Sequence, residues 1–152
     1  MLLTIQMVSC DDTYQSSIPD YPVNLELNLT STYPNFKNST NEYLLFKTIV
    51  GLPVRSEIGF GGIIICTTGF DDYGSSLYFA FDFACPFEVK RDIRVYPDTN
   101  SISHVVCEKC GSVFDLSYGN GSPLSGPALD TKQVLKRYRV LKQGDVLYIS
   151  NR

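Results

Sequence analysis

Histidine occurs once in this 152-residue chain, and tryptophan does not occur at all. A single imidazole, His104, leaves no room for a Ser–His–Asp relay independent of it, and no catalytic constellation can be assembled around it. No window approaches the ~18 consecutive apolar residues that a membrane-spanning helix requires. Single-sign charge runs are missing as well. The 13 Lys and Arg stand against 16 Asp and Glu, for a net charge of −3. The basic residues form only small groups such as Lys90-Arg91 and Lys136-Arg137-Arg139. Binding nucleic acid needs an extended phosphate-neutralising surface, so no nucleic acid is expected as a partner. Internal repeats and low-complexity runs are absent. So is the i, i+3, i+4, i+7 repeat of an amphipathic helix.

What remains is β in character. Val23, Leu25, Leu27 and Leu29 alternate with Asn24, Glu26 and Asn28, the period of a half-buried strand. Further strands are expected at 43–50, 61–66, 77–83, 93–96, 101–107, 113–116, 135–141 and 146–149. Turn sequences rich in Gly, Pro, Asn and Asp separate them. A helical turn is expected at 131–134. Regular spacing of this kind predicts an all-β antiparallel sandwich or barrel.

Residues 1–8 (MLLTIQMV) form a short apolar run before Ser9-Cys10. A small residue and a Cys after such a run resembles the lipobox of bacterial lipoproteins, whose Cys is acylated and becomes the membrane anchor. The run is short and no basic residue precedes it, so 1–9 is read as a partial signal peptide. The resemblance implies lipidation at Cys10 and a cell-envelope location outside the cytoplasm. Two or more acyl chains would be needed for a stable hold, at ~0.8 kcal/mol per buried methylene. Residues 10–21, polar and proline-bearing, are expected to be a tether, and 22–152 a single β domain.

The chemistry-bearing residues lie in three loops: Cys85-Pro86-Phe87-Glu88, then Cys107-Glu108-Lys109-Cys110-Gly111-Ser112-Val113-Phe114, then Gly126-Pro127-Ala128. Their order and spacing, with the strand LYFAFDFACP before them and the closing hairpin after, resemble the Rieske family. In that family a C-x-H loop and a C-x-x-H-G-S loop at hairpin tips hold a [2Fe–2S] cluster, and a Gly-Pro-Ala-type loop covers it. The resemblance implies a Rieske-like antiparallel fold with two cysteine loops at hairpin tips.

The departures fall on the ligands. The family's cysteines correspond to Cys85 and Cys107, and its histidines to Phe87 and Cys110. A Rieske centre needs two histidines on one iron, and a phenyl ring has no lone pair to offer. Around the cluster, Ser112 is kept. Phe114 stands where the family has a tyrosine and lacks its hydroxyl, and Pro127 belongs to the covering loop. Glu88, Cys66 and His104 are the weak candidates for a missing fourth ligand. The bland alternatives are a buried apolar Cys66 and a His104 that is a surface or packing residue.

The site is therefore expected to be degenerate, with no cofactor. Cys85 would pair with Cys107 or Cys110 in a disulfide, which persists in an oxidising compartment. The protein would then be a non-catalytic binding or structural module of the envelope, anchored to the membrane and meeting an unidentified envelope protein. The competing expectation is an electron-transfer or metal-binding protein, holding [2Fe–2S] or zinc on Cys85, Cys107, Cys110 and a fourth ligand. A thiol–disulfide role for Cys107 and Cys110 is a third. Asp71-Asp72 reads as a turn, and Gly59–Gly62 lacks the Lys and helix start of a phosphate cradle.

Overall fold

The computed structural model describes residues 13–151. Cys10 and the partial signal peptide lie outside the described residues.

Among the described residues, eleven strands and two single helical turns make up the fold. Strand β1 (Val23–Asn28) points Val23, Leu25 and Leu27 inward and Asn24, Glu26 and Asn28 outward, as its alternation requires. A helical turn α1 (Pro34–Lys37) follows, with Pro at its first position and Phe36 buried beneath it. Next come β2 (Tyr43–Phe46), β3 (Glu57–Ile58), β4 (Ile63–Phe70) and β5 (Ser76–Asp82). The middle of the chain forms β6 (Val95–Pro97), β7 (His104–Cys107), β8 (Val113–Asp115) and β9 (Ser122–Ser125). Turn α2 (Pro127–Asp130) leads into β10 (Arg137–Gln143) and β11 (Val146–Ser150).

Two antiparallel sheets result. The larger runs β2-β4-β5-β10-β11-β1-β3, and the smaller runs β6-β7-β8-β9. Strands β4 and β5 form a wall between two cores. Ile63 and Ile65 of β4, with Tyr78 and Ala80 of β5, face a core closed by Leu25, Leu27, Leu147 and Ile149. Ile64 and Cys66, with Phe81 and Phe83, face the other way, onto Val105, Cys107, Phe114 and Leu116. Burial on both faces is why 61–66 reads as an unbroken apolar run instead of an alternation. Each fully buried Leu, Ile or Phe contributes ~1.5–3 kcal/mol, so this wall carries much of the stability.

One local expectation is corrected. The helical turn forms at Pro127–Asp130, not at 131–134, because Pro127 has its φ preset and needs no N–H at the first helical position. Within the segment expected to be a tether, residues from Gln15 onward contact the domain. Gln15 bridges Gln133, Ile18 is buried, and Lys136 pairs with Asp20.

Candidate metal centre

Strand β5 ends on Asp82, a carboxylate with no solvent exposure. It accepts hydrogen bonds from the N–H groups of Phe60 (2.8 Å), Gly61 (3.0 Å) and Ala84 (2.8 Å), and from the Tyr138 hydroxyl (2.6 Å). Burial, then the Asp82 charge, pushes the Tyr138 hydroxyl well above the ordinary tyrosine range. The bond to Ala84 N–H spans two residues, the geometry of an Asx turn. It bends the chain out of the strand one residue before Cys85. Gly61 permits this, since a Cβ there would sit 2.5 Å from that of Ala84.

Cys85 then opens a tight loop. Val89 N–H closes it by donating to the Cys85 carbonyl (3.0 Å), and the N–H groups of Glu88 and Phe87 donate to the Cys85 sulfur. The second loop repeats the pattern at the β7–β8 hairpin tip. Gly111 N–H donates to the Cys107 carbonyl (2.8 Å), and the N–H groups of Cys110 and Lys109 donate to the Cys107 sulfur. Even the backbone signs agree, with Val89 at φ 50° and Gly111 at φ 74°.

These loops bring three sulfurs together. The Sγ atoms of Cys85, Cys107 and Cys110 all lie within 4.8 Å of one another, and Cys85 Sγ is 3.7 Å from Cys110 Sγ. Cys85 and Cys107 are buried; Cys110 is half-buried. Cys107 is drawn below the ordinary thiol range, first by the neighbouring Cys85 thiol and then, against burial, by the loop N–H groups. Cys85 moves the opposite way, because its proton is shared with Cys107 and because it is buried.

The third loop seals the group through Ser112. The Cys110 thiol donates to Ser112 Oγ (3.2 Å), and Ala128 N–H donates to the same oxygen (3.0 Å). A serine hydroxyl has one donor and two acceptor sites. With Cys110 ionised, Ser112 can turn its own proton toward the sulfur and keep the Ala128 bond. Pro127 serves by starting the turn α2 that presents Ala128. Gly126 makes the close approach possible, because a Cβ there would stand 2.8 Å from Ser112 Cα.

The other candidates are not part of this group among the described residues. Cys66 sits on β4 in the second core, its thiol pushed up to about 12 by burial. His104 opens β7 and bonds Ser101 Oγ through Nδ1 (2.7 Å). Glu88 is half-buried, and Phe87 is 39% exposed. Phe114 is a fully buried core residue packed with Cys85 and Cys107.

The expected disulfide is not formed among the described cysteines. All four described cysteines are free, and the 3.7 Å between Cys85 and Cys110 far exceeds an S–S bond of about 2.05 Å. Sequence spacing did not reveal the matching loop closures, because backbone hydrogen bonding is independent of residue type.

No family profile matches the chain, and neither does any curated protein. Solved structures do. The quaternary ammonium Rieske monooxygenase CntA, in complex with its substrate L-carnitine, superposes with a TM-score of 0.50 at 14% identity over 90% of this chain. The same enzyme with the inhibitor MMV12 gives 0.50 at 15% identity. The fold is Rieske-like. This chain spans about a third of the length of those structures, 33% and 32%, and the likeness concerns the fold alone.

The Rieske cofactor itself does not fit these residues. It requires two imidazoles on one iron, where this chain has Cys110 and an exposed phenyl ring at Phe87. Three thiols are a soft donor set that suits zinc and other thiophilic ions.

Proposed function

We propose that this chain is a metal-binding module on a Rieske-like scaffold, with Cys85, Cys107 and Cys110 as the metal-holding groups. The observation that carries the reading is three thiol sulfurs gathered within 4.8 Å of one another. Loop N–H groups already point at two of them, which supports the thiolate form that metals bind. Its role on this reading is binding, with the group made up of the three thiols among the described residues. Anaerobic purification, with iron, zinc and acid-labile sulfide quantified against protein, tests the reading. The expected result is bound metal in the native chain and its loss in Cys107→Ser. Metal-free native protein with titratable thiols contradicts it.

The 3.7 Å Cys85–Cys110 separation favours one second reading. Without metal, an oxidant such as dioxygen could take two electrons from this pair. A Cys85–Cys110 disulfide would form, and two protons would leave. Non-reducing mass spectrometry would then show the bridged peptides two hydrogens lighter.

The lipobox-like Ser9-Cys10 supports an envelope location, with the module anchored through an acylated Cys10 and presenting its loop tips to an envelope partner. Expression in a bacterial host checks this. The chain should partition into detergent, and Cys10→Ser should move it to the aqueous phase. Equal partitioning of both forms contradicts the anchor.

A further inference from the structure

The metal-binding reading leaves open how many metal ions the thiols share and what completes their coordination. The sulfur spacing bears on the first. Two thiolates on one tetrahedral ion, at a metal–sulfur distance of 2.3 Å, stand about 3.8 Å apart. Cys85 and Cys110 are 3.7 Å apart, and Cys107 lies within 4.8 Å of both. In a two-iron cluster with the family's arrangement, Cys85 and Cys107 share one iron and Cys110 sits on the other. The third sulfur would then be set off by the separation of the metals. Here the sulfur of Cys110 instead sits at single-ion distance from that of Cys85.

The loop pattern bears on the second question. Both loops have an N–H four residues on that closes onto the cysteine carbonyl. Both aim the N–H groups two and three residues on at the cysteine sulfur. Both place the fifth residue at positive φ. Superposing the patterns makes Cys107 equivalent to Cys85, and Cys110 equivalent to Glu88. Cys110 donates its backbone N–H to its own loop's first sulfur while its side chain reaches the other loop's cysteine. Glu88 has the same backbone role in the other loop. Its carboxylate is not yet within the sulfur group, but it is half-buried on a flexible three-carbon reach. Carboxylate oxygen is an ordinary zinc ligand.

We infer that Cys85, Cys107, Cys110 and Glu88 together bind one thiophilic divalent ion of the zinc class, in place of a two-iron cluster. The inference rests on the metal-binding reading above. The backbone N–H groups on the sulfurs, and Ser112 on Cys110, offset the negative charge of three thiolates.

The test uses the full chain with Cys10→Ser, reduced, stripped of metal and titrated anaerobically with Cd²⁺, following thiolate-to-cadmium absorption. The expected endpoint is one ion per chain with three-thiolate intensity. Glu88→Gln should weaken binding tenfold or more, given that even outer partners of a metal commonly cost 10–100-fold. Glu88→Cys should tighten binding and raise the intensity to that of four thiolates. Circular dichroism verifies that both variants fold. An unchanged affinity in Glu88→Gln, or three-thiolate intensity in Glu88→Cys, overturns the role of Glu88. Two irons and two sulfides per native chain overturn the single ion while leaving the metal-binding reading intact. No binding of cadmium, zinc or iron by folded chain overturns both.

Discussion

Val89 is a β-branched residue at φ 50°, a conformation that suits glycine and strains valine by ~1–3 kcal/mol. Gly111 fills the equivalent place in the other loop at φ 74° without that strain. Val89→Gly should therefore stabilise the chain by about 1 kcal/mol, after the greater entropy of glycine in the unfolded state is subtracted. A thermal melt should show a rise of about 2–4 °C for a chain of this size. A fall would mean that Val89 makes contacts worth more than its backbone strain. The residue scale is also where the sequence was most legible. Cys85, Cys107 and Cys110 stood out through the resemblance of their loops to the Rieske family, and the three sulfurs do meet. Glu88 looked misplaced by one position beside Phe87, and its carboxylate does lie outside the sulfur group.

At the scale of elements, Asp82 ties together the approach to β4, the exit from β5 and strand β10 through four separate donors. Asp82→Ala leaves those donors buried without a partner, each costing ~1–3 kcal/mol. The expected loss is about 3 kcal/mol or more in a denaturant melt, together with weaker metal retention as Cys85 loses its aim. A loss below about 1 kcal/mol would show that water replaces the carboxylate and that the bend is set elsewhere. Element legibility followed side-chain patterning. The alternation of β1 announced itself, and the hairpin of β10 and β11 was anticipated within two residues at each end. Strands β3 and β9 went unseen. Two-residue β3 is set by pairing with β1, and β9 contains Pro123 and two serines, so neither has an apolar rhythm. Turn α1 hid in a polar stretch, because one buried residue, Phe36, is too few to make a period.

Across the whole molecule, two cores share the wall of β4 and β5, and the second core ends at the sulfurs. The scaffold thus holds Cys85 and Cys107 in place by packing, and the loops contribute their donors before any ligand arrives. Little rearrangement is then required on binding, a condition for high metal affinity. Gln15 of the N-terminal segment bridges Gln133, a long-range contact that the polar sequence of 10–21 did not disclose. Zinc-edge X-ray absorption on native chain purified anaerobically tests the central claim most directly. A single zinc with three sulfurs at about 2.3 Å, one oxygen at about 2.0–2.2 Å and no metal neighbour is the result expected. Iron with bridging sulfide at this site, or protein carrying no metal at all, would contradict it.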